Sequence, residues 1–209
     1  ITQANSYQTI ICTASNTGNT GFMLVVHGMK PSVLIGKSVG GRWRLTCGSN
    51  TLLNLNTWDH VAVVNVNGKV KLFVDGKLTG ESEFTDTIVN LPTHNVSIGC
   101  EDDHRKQNYF VGQLQDLRIS SSAVYSGRFQ VPSALFTTDC SNACSDPELI
   151  NCANDVVLHL QSNTFKSNDP IVDSSVFSRA LTKNGDVTHN TSKSPFGRSS
   201  LYFDGNTDY

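Results

Sequence analysis

This chain has little charge. Asp, Glu, Lys and Arg make up 16% of its 209 residues and the formal net charge is -2, so Ser, Thr, Asn and Gly carry most of the polarity. No cluster of Lys and Arg offers the basic surface that a polyanion requires, which argues against nucleic acid as a partner. Long apolar runs are missing as well. No segment approaches the roughly 20 apolar residues that cross a bilayer, so membrane insertion is not expected. The chain opens on Ile1 with no charged-then-apolar leader, which reads as a processed product or a piece of something longer. The six histidines, His27, His60, His94, His104, His159 and His189, show no HxxxH or HxH spacing, and each is read as a packed or surface residue. Helical periodicity of useful length is absent too.

What is present is the grammar of strands. In Thr57 to Gly80, TWDHVAVVNVNGKVKLFVDGKLTG, the dipeptides Asn67-Gly68 and Asp75-Gly76 supply the positive φ angles of tight hairpin turns. Between them Val70, Leu72 and Val74 fall on one strand face, and on the preceding strand Val61 and Val63 alternate with Ala62, Val64 and Val66. Val61, Val63, Val70, Leu72, Val74, Leu114 and Leu117 are expected to contribute to one core between two sheets. Further short apolar runs at 9–12, 22–26, 32–35, 43–47, 96–98 and 110–119 are bounded by Gly, Asn, Ser, Thr or Pro. The fold class is all-β, an antiparallel β-sandwich.

Six cysteines, Cys12, Cys47, Cys100, Cys140, Cys144 and Cys152, point to an oxidising compartment. The sequons at Asn95 and Asn190 agree with a secretory route, and the expected location is extracellular. Cys140, Cys144 and Cys152 lack a fourth ligand at zinc spacing, so all six are read as disulfide partners. Three lie in the strand-rich body and three in a polar stretch after Phe136. If all six pair within the chain, an odd number of bridges ties that stretch to the body.

Residues 138–155 read as a Cys-rich linker. Before it stand Thr57-Trp-Asp-His-Val-Ala-Val-Val, Val70-Lys-Leu-Phe-Val-Asp-Gly, Val96-Ser-Ile-Gly, Phe110-Val-Gly-Gln-Leu-Gln-Asp-Leu-Arg-Ile and Phe129-Gln-Val-Pro. In this order, over about residues 8 to 136, the chain resembles the laminin G-like branch of the concanavalin A-like lectin/glucanase superfamily, which also contains the pentraxins. The resemblance implies a jelly roll with Trp58 in its core. Residues 156–209, with Val156 to Leu160, Phe196-Gly-Arg-Ser-Ser-Leu-Tyr-Phe-Asp-Gly and Asp208-Tyr209, resemble the opening strands of the same domain. Residues 1–137 therefore form a body lacking its opening strands, and 156–209 hold strands for a next or complementing domain. Two arrangements follow. In a tandem array the strands serve a neighbouring copy and the chains interlock; in a circular permutation they fold back on their own body.

Pentraxins bind calcium on an acidic segment after a similar strand end. By that resemblance Glu101 and Asp103 are expected ligands of Ca2+, with Gln107 a third. The same acids beside His104, Arg105 and Lys106 also fit a solvated, self-neutralising loop. Glycosidases on this fold use Glu-x-Asp-x-x-Glu; Glu101-x-Asp103 begins that pattern, but Lys106 stands where the second glutamate belongs, and lysine cannot serve as the partner acid. No enzyme is expected. Trp43, between Arg42 and Arg44, is a candidate platform for a sugar ring, with a core position as the alternative. The expected function is an extracellular structural or adhesive module whose partners are neighbouring copies of itself; the alternative is a calcium-dependent glycan-binding lectin domain, and a polysaccharide-active enzyme comes third.

Overall fold

In a computed structural model, Asn67 and Gly68 have φ of 51° and 72°, and Asp75 and Gly76 of 49° and 71°. Both turns therefore adopt the left-handed geometry that twisted hairpins require. They join β5 (Val61–Val66), β6 (Lys69–Val74) and β7 (Lys77–Glu83) into a three-stranded antiparallel sheet with β6 at its centre. The structure describes residues 1–4, 7–13, 20–37, 43–85, 88, 95–101, 106–136 and 155–209, without the side chains of 20, 37, 43 and 44.

A five-stranded sheet carries the other half of the sandwich. Its order is β4 (Trp43–Gly48), β3 (Lys30–Lys37), β2 (Thr20–His27), β1 (Tyr7–Cys12) and β8 (Ser97–Ile98), all antiparallel. The β2–β3 turn uses Gly28 and Met29 with φ of 55° and 66°, a left-handed pair whose second member is not glycine. The main core lies between the sheets and unites Ile10, Val26, Val33 and Ile35 of the large sheet with Val70, Leu72 and Val74 of β6. At the corner where the two sheets meet, Asn50 N–H donates to the Thr79 carbonyl at 2.9 Å.

The strands after the linker complete the body of their own chain. β11 (Val156–Leu160) runs antiparallel to β10 (Leu117–Ser120), with Leu117 opposite Leu160 and Ile119 opposite Leu158. β13 (Ser200–Asp204) lies between β12 (Thr188–Asn190) and β9 (Val111–Leu114). Leu201 and Phe203 of β13 enter the main core. Gln115, between β9 and β10, donates through Nε2 to the carbonyls of Ser162 (2.8 Å) and Phe196 (3.2 Å) and accepts the Ser162 N–H through Oε1 (3.2 Å). Within the chain, β9 and β10 would otherwise present bare N–H and C=O groups, and β13 and β11 pair with them.

The expected core needs two corrections. Val70, Leu72 and Val74 are buried, and Val61, Leu114 and Leu117 are partly so, but Val63 is 37% exposed. β5 is an edge strand, so alternation names its inward face without guaranteeing a cover along its whole length. Trp58 is 39% exposed because it sits in the loop before β5 and not in a strand.

Candidate functional site

The loop between β8 and β9 is anchored to β1. Gly99 N–H donates to the Ile10 carbonyl (3.0 Å), Thr9 N–H to the Asn108 carbonyl (2.8 Å) and Phe110 N–H to the Gly99 carbonyl (2.8 Å). A further backbone bond from Glu101 N–H to the Gln107 carbonyl (3.0 Å) closes the loop on itself. Lys106 and Asn108 take left-handed φ of 49° and 55° to make that closure.

Inside it, Glu101 is buried and its Oε2 accepts Gln107 Nε2 at 3.0 Å and the Asn108 side-chain amide. Two of the three expected cation ligands, Glu101 and Gln107, therefore meet, while Asp103 lies outside the described residues. Asn108 was not singled out by sequence; its place beside Gln107 in an acidic loop was the available signal. Tyr7 lies near the carboxylate: burial first, then the charges of Glu101 and Cys12, push its phenol up to about 12. Lys106 turns from the carboxylate toward Tyr209, with Nζ 5.6 Å from that ring, and its hydrogen bond to Tyr209 raises the ammonium pKa.

The side chains gathered here offer oxygens, which suits a hard cation, yet the described residues supply one carboxylate and two carboxamides where calcium takes six to eight oxygens. Among the described residues no group of three or more His, Cys, Asp or Glu side chains is arranged to hold a metal ion.

Other polar clusters are buried within the fold. Asp173 Oδ1 accepts the N–H groups of His159 and Ser175, each at 2.9 Å, and its Oδ2 accepts the Ser175 hydroxyl (2.9 Å) and Arg179 N–H (3.0 Å). Burial pushes its carboxyl up, and those donors together hold it below the usual carboxylate range. Ser162 Oγ lies 2.6 Å from His189 Nδ1 and 2.8 Å from Ser199 Oγ, and His189 Nε2 is 3.1 Å from the Asp169 carbonyl. This has the contacts of a nucleophile and its base, but both serines are wholly buried, so no substrate reaches them.

Trp43 takes its place at the start of β4, opposite Gly36; its side chain lies outside the described ones. Cys12, Cys47 and Cys100 are buried, and burial pushes the Cys47 thiol up. Cys140, Cys144 and Cys152 lie outside the described residues. Asn95 is exposed, whereas Asn190 sits in β12 with Oδ1 accepting the Ser192 N–H at 2.9 Å.

No helix among the described residues is long and apolar enough to cross a membrane. A laminin G-like family model, described as the concanavalin A-like lectin/glucanases superfamily, matches residues 1–126, more than half of the chain. Modules of this kind are lectin-like or adhesive, typically extracellular and typically without catalysis, although the superfamily also holds glycosidases. No curated protein and no solved structure matches the chain. The strand order, the two-sheet core and the family match agree: this chain belongs to the concanavalin A-like lectin/glucanases superfamily.

Proposed function

We propose that the chain is an extracellular, non-catalytic structural or adhesive module, one unit of a tandem-repeat surface or filament-forming protein. The observation that carries this reading is the state of the Glu101 loop. Its described carboxylate is engaged by Gln107 and Asn108, and Lys106 occupies the place of a glycosidase's second acid while facing Tyr209. Disulfides and glycans on Asn95 and Asn190 would protect such a module outside the cell.

A second reading, a calcium-dependent lectin, is favoured by one feature: an oxygen-rich loop closed by its own backbone bond. Glu101, Gln107 and Asp103 would hold the ion, and Trp43 would stack on the sugar. A glycan array probed with and without chelator, with the eluate assayed for released reducing ends, separates the readings. The adhesive module retains no glycan selectively and releases no reducing ends. Chelator-sensitive retention establishes the lectin, and cleavage overturns both.

A further inference from the structure

Immediately before β5, His60 lies beside an aromatic stack. Tyr125 and Phe129 have ring centroids 3.5 Å apart and planes only 7° from parallel. The His60 ring is 5.4 Å from Phe129 and 6.1 Å from Tyr125, inclined at 76° and 81° to them. Two such similar distances to rings stacked 3.5 Å apart place the imidazole beside the stack, at the ring edges. A ring lying over one face would be much farther from the second centroid.

Position decides what a proton does there. Ring edges carry the positive end of the aromatic quadrupole, so an imidazolium at the edge lacks the attraction that a ring face gives a cation. His60 Nδ1 is also buried without a hydrogen-bond partner, and a proton on it would find no acceptor. The backbone holds the ring in this place. His60 N–H donates to Asp75 Oδ1 at 2.9 Å, and the His60 carbonyl accepts Asp75 N–H at 2.8 Å.

The stack belongs to residues 124–130, which run as a strap over the outer face of β6. Lys71 Nζ donates to the Ser126 carbonyl at 3.0 Å and Phe129 N–H to the Gly76 carbonyl at 3.0 Å. Beneath the strap, Phe73 packs on Phe129 with ring centroids 5.5 Å apart and is wholly buried.

We propose that His60 and the Tyr125–Phe129 stack form an acid-released latch, which frees the strap of residues 124–130 from β5 and β6 when His60 takes up a proton. Burial lowers the imidazole pKa below its ordinary value; Asp75 opposes this, Arg118 adds to it and Asp116 opposes it. The latched form thus binds fewer protons than the released one. Latching is complete above the ordinary imidazole pKa of about 6.5 and weakens as pH falls from there toward the depressed value. Release uncovers Phe73, so the module would gain an apolar contact surface in mildly acidic surroundings.

Amide hydrogen exchange of the full chain, compared with His60→Phe, tests the latch. In the parent, protection factors for residues 124–130 fall about tenfold per pH unit below about pH 6.5 until the depressed pKa is reached. In His60→Phe, which keeps an aromatic ring and cannot take a proton, they stay level. Constant protection in the parent, or an equal fall in the variant, overturns the latch. If His60→Phe does not fold, an NMR titration of the parent decides. A His60 imidazole titrating below about 6.5 together with shifts of the Tyr125 ring supports release, and one titrating at or above that value refutes it.

Discussion

His159 Nε2 lies 2.6 Å from Asp116 Oδ1, with both side chains almost completely buried. This contact joins β11 to the turn ahead of β10 across 43 positions of sequence. Gln161 Nε2 adds a second donor to the same carboxylate oxygen at 3.2 Å, and Asp116 Oδ2 accepts the Phe136 N–H. Asp116 is thus a knot between the end of the body and the strands that complete it.

Replacing His159 by Leu leaves a buried carboxylate short of a donor. The expected loss is about 3 kcal/mol, read as a lower urea midpoint with unchanged slope. A loss below about 1 kcal/mol would mean that the pair does not tie the segment down.

The corrected face of β5 gives a contrast. Leu72→Ala empties a wholly buried site and should cost about 3 kcal/mol, whereas Val63→Ala, at an exposed edge, should cost less than about 1 kcal/mol. Equal losses in thermal melts would mean that Val63 is covered like Leu72.

Gly76 and Gly28 separate backbone strain from collision. Both have positive φ, 71° and 55°, but a Cβ on Gly76 would stand 2.1 Å from the Phe129 carbonyl oxygen, while one on Gly28 meets nothing within 4 Å. Gly28→Ala should cost about 1 kcal/mol, from the left-handed conformation alone. Gly76→Ala should cost about 3 kcal/mol, with the strap of residues 124–130 the first element to lose protection.

The two hairpin turns around β6, at Asn67-Gly68 and Asp75-Gly76, were legible because their chemistry is local: only a few residues accept positive φ in a row, and Asn-Gly and Asp-Gly are among them. The face of β5 was half legible, since alternation reports two faces but not where the opposing sheet stops. The Asp116–His159 pair was not legible at all. Its partners, one in the turn ahead of β10 and one in β11, lie far apart in sequence, and the one local signal was a histidine inside the apolar run Val156 to Leu160. In the candidate site, Glu101 and Gln107 meet because they are six residues apart on one loop, whereas Asn108 and Tyr7 were not singled out by sequence. Tyr7, on β1, feels the charge of that carboxylate, which β1's pairing with β8 brings near.

Tyr7 also sets an alkaline limit. Its phenol is pushed up to about 12, by burial before all else, so the folded chain holds that proton more tightly than the unfolded chain does. The stability it contributes is complete below about pH 10 and is lost as pH rises from there toward about 12. Tyr7→Phe should flatten this part of the stability profile; an unchanged alkaline loss would place the titrating group elsewhere.

Closure of the sandwich by strands of the same chain is tested most directly by hydrogen exchange in the β9–β13 and β10–β11 ladders, followed over a dilution series. Closure within the chain predicts that the amides of Val111–Leu114 and Leu117–Ser120 that bond across these ladders stay as protected as those of β6 at every concentration. Strands borrowed from a neighbouring copy would instead lose protection on dilution, because exchange between copies follows mass action, and that result would contradict closure.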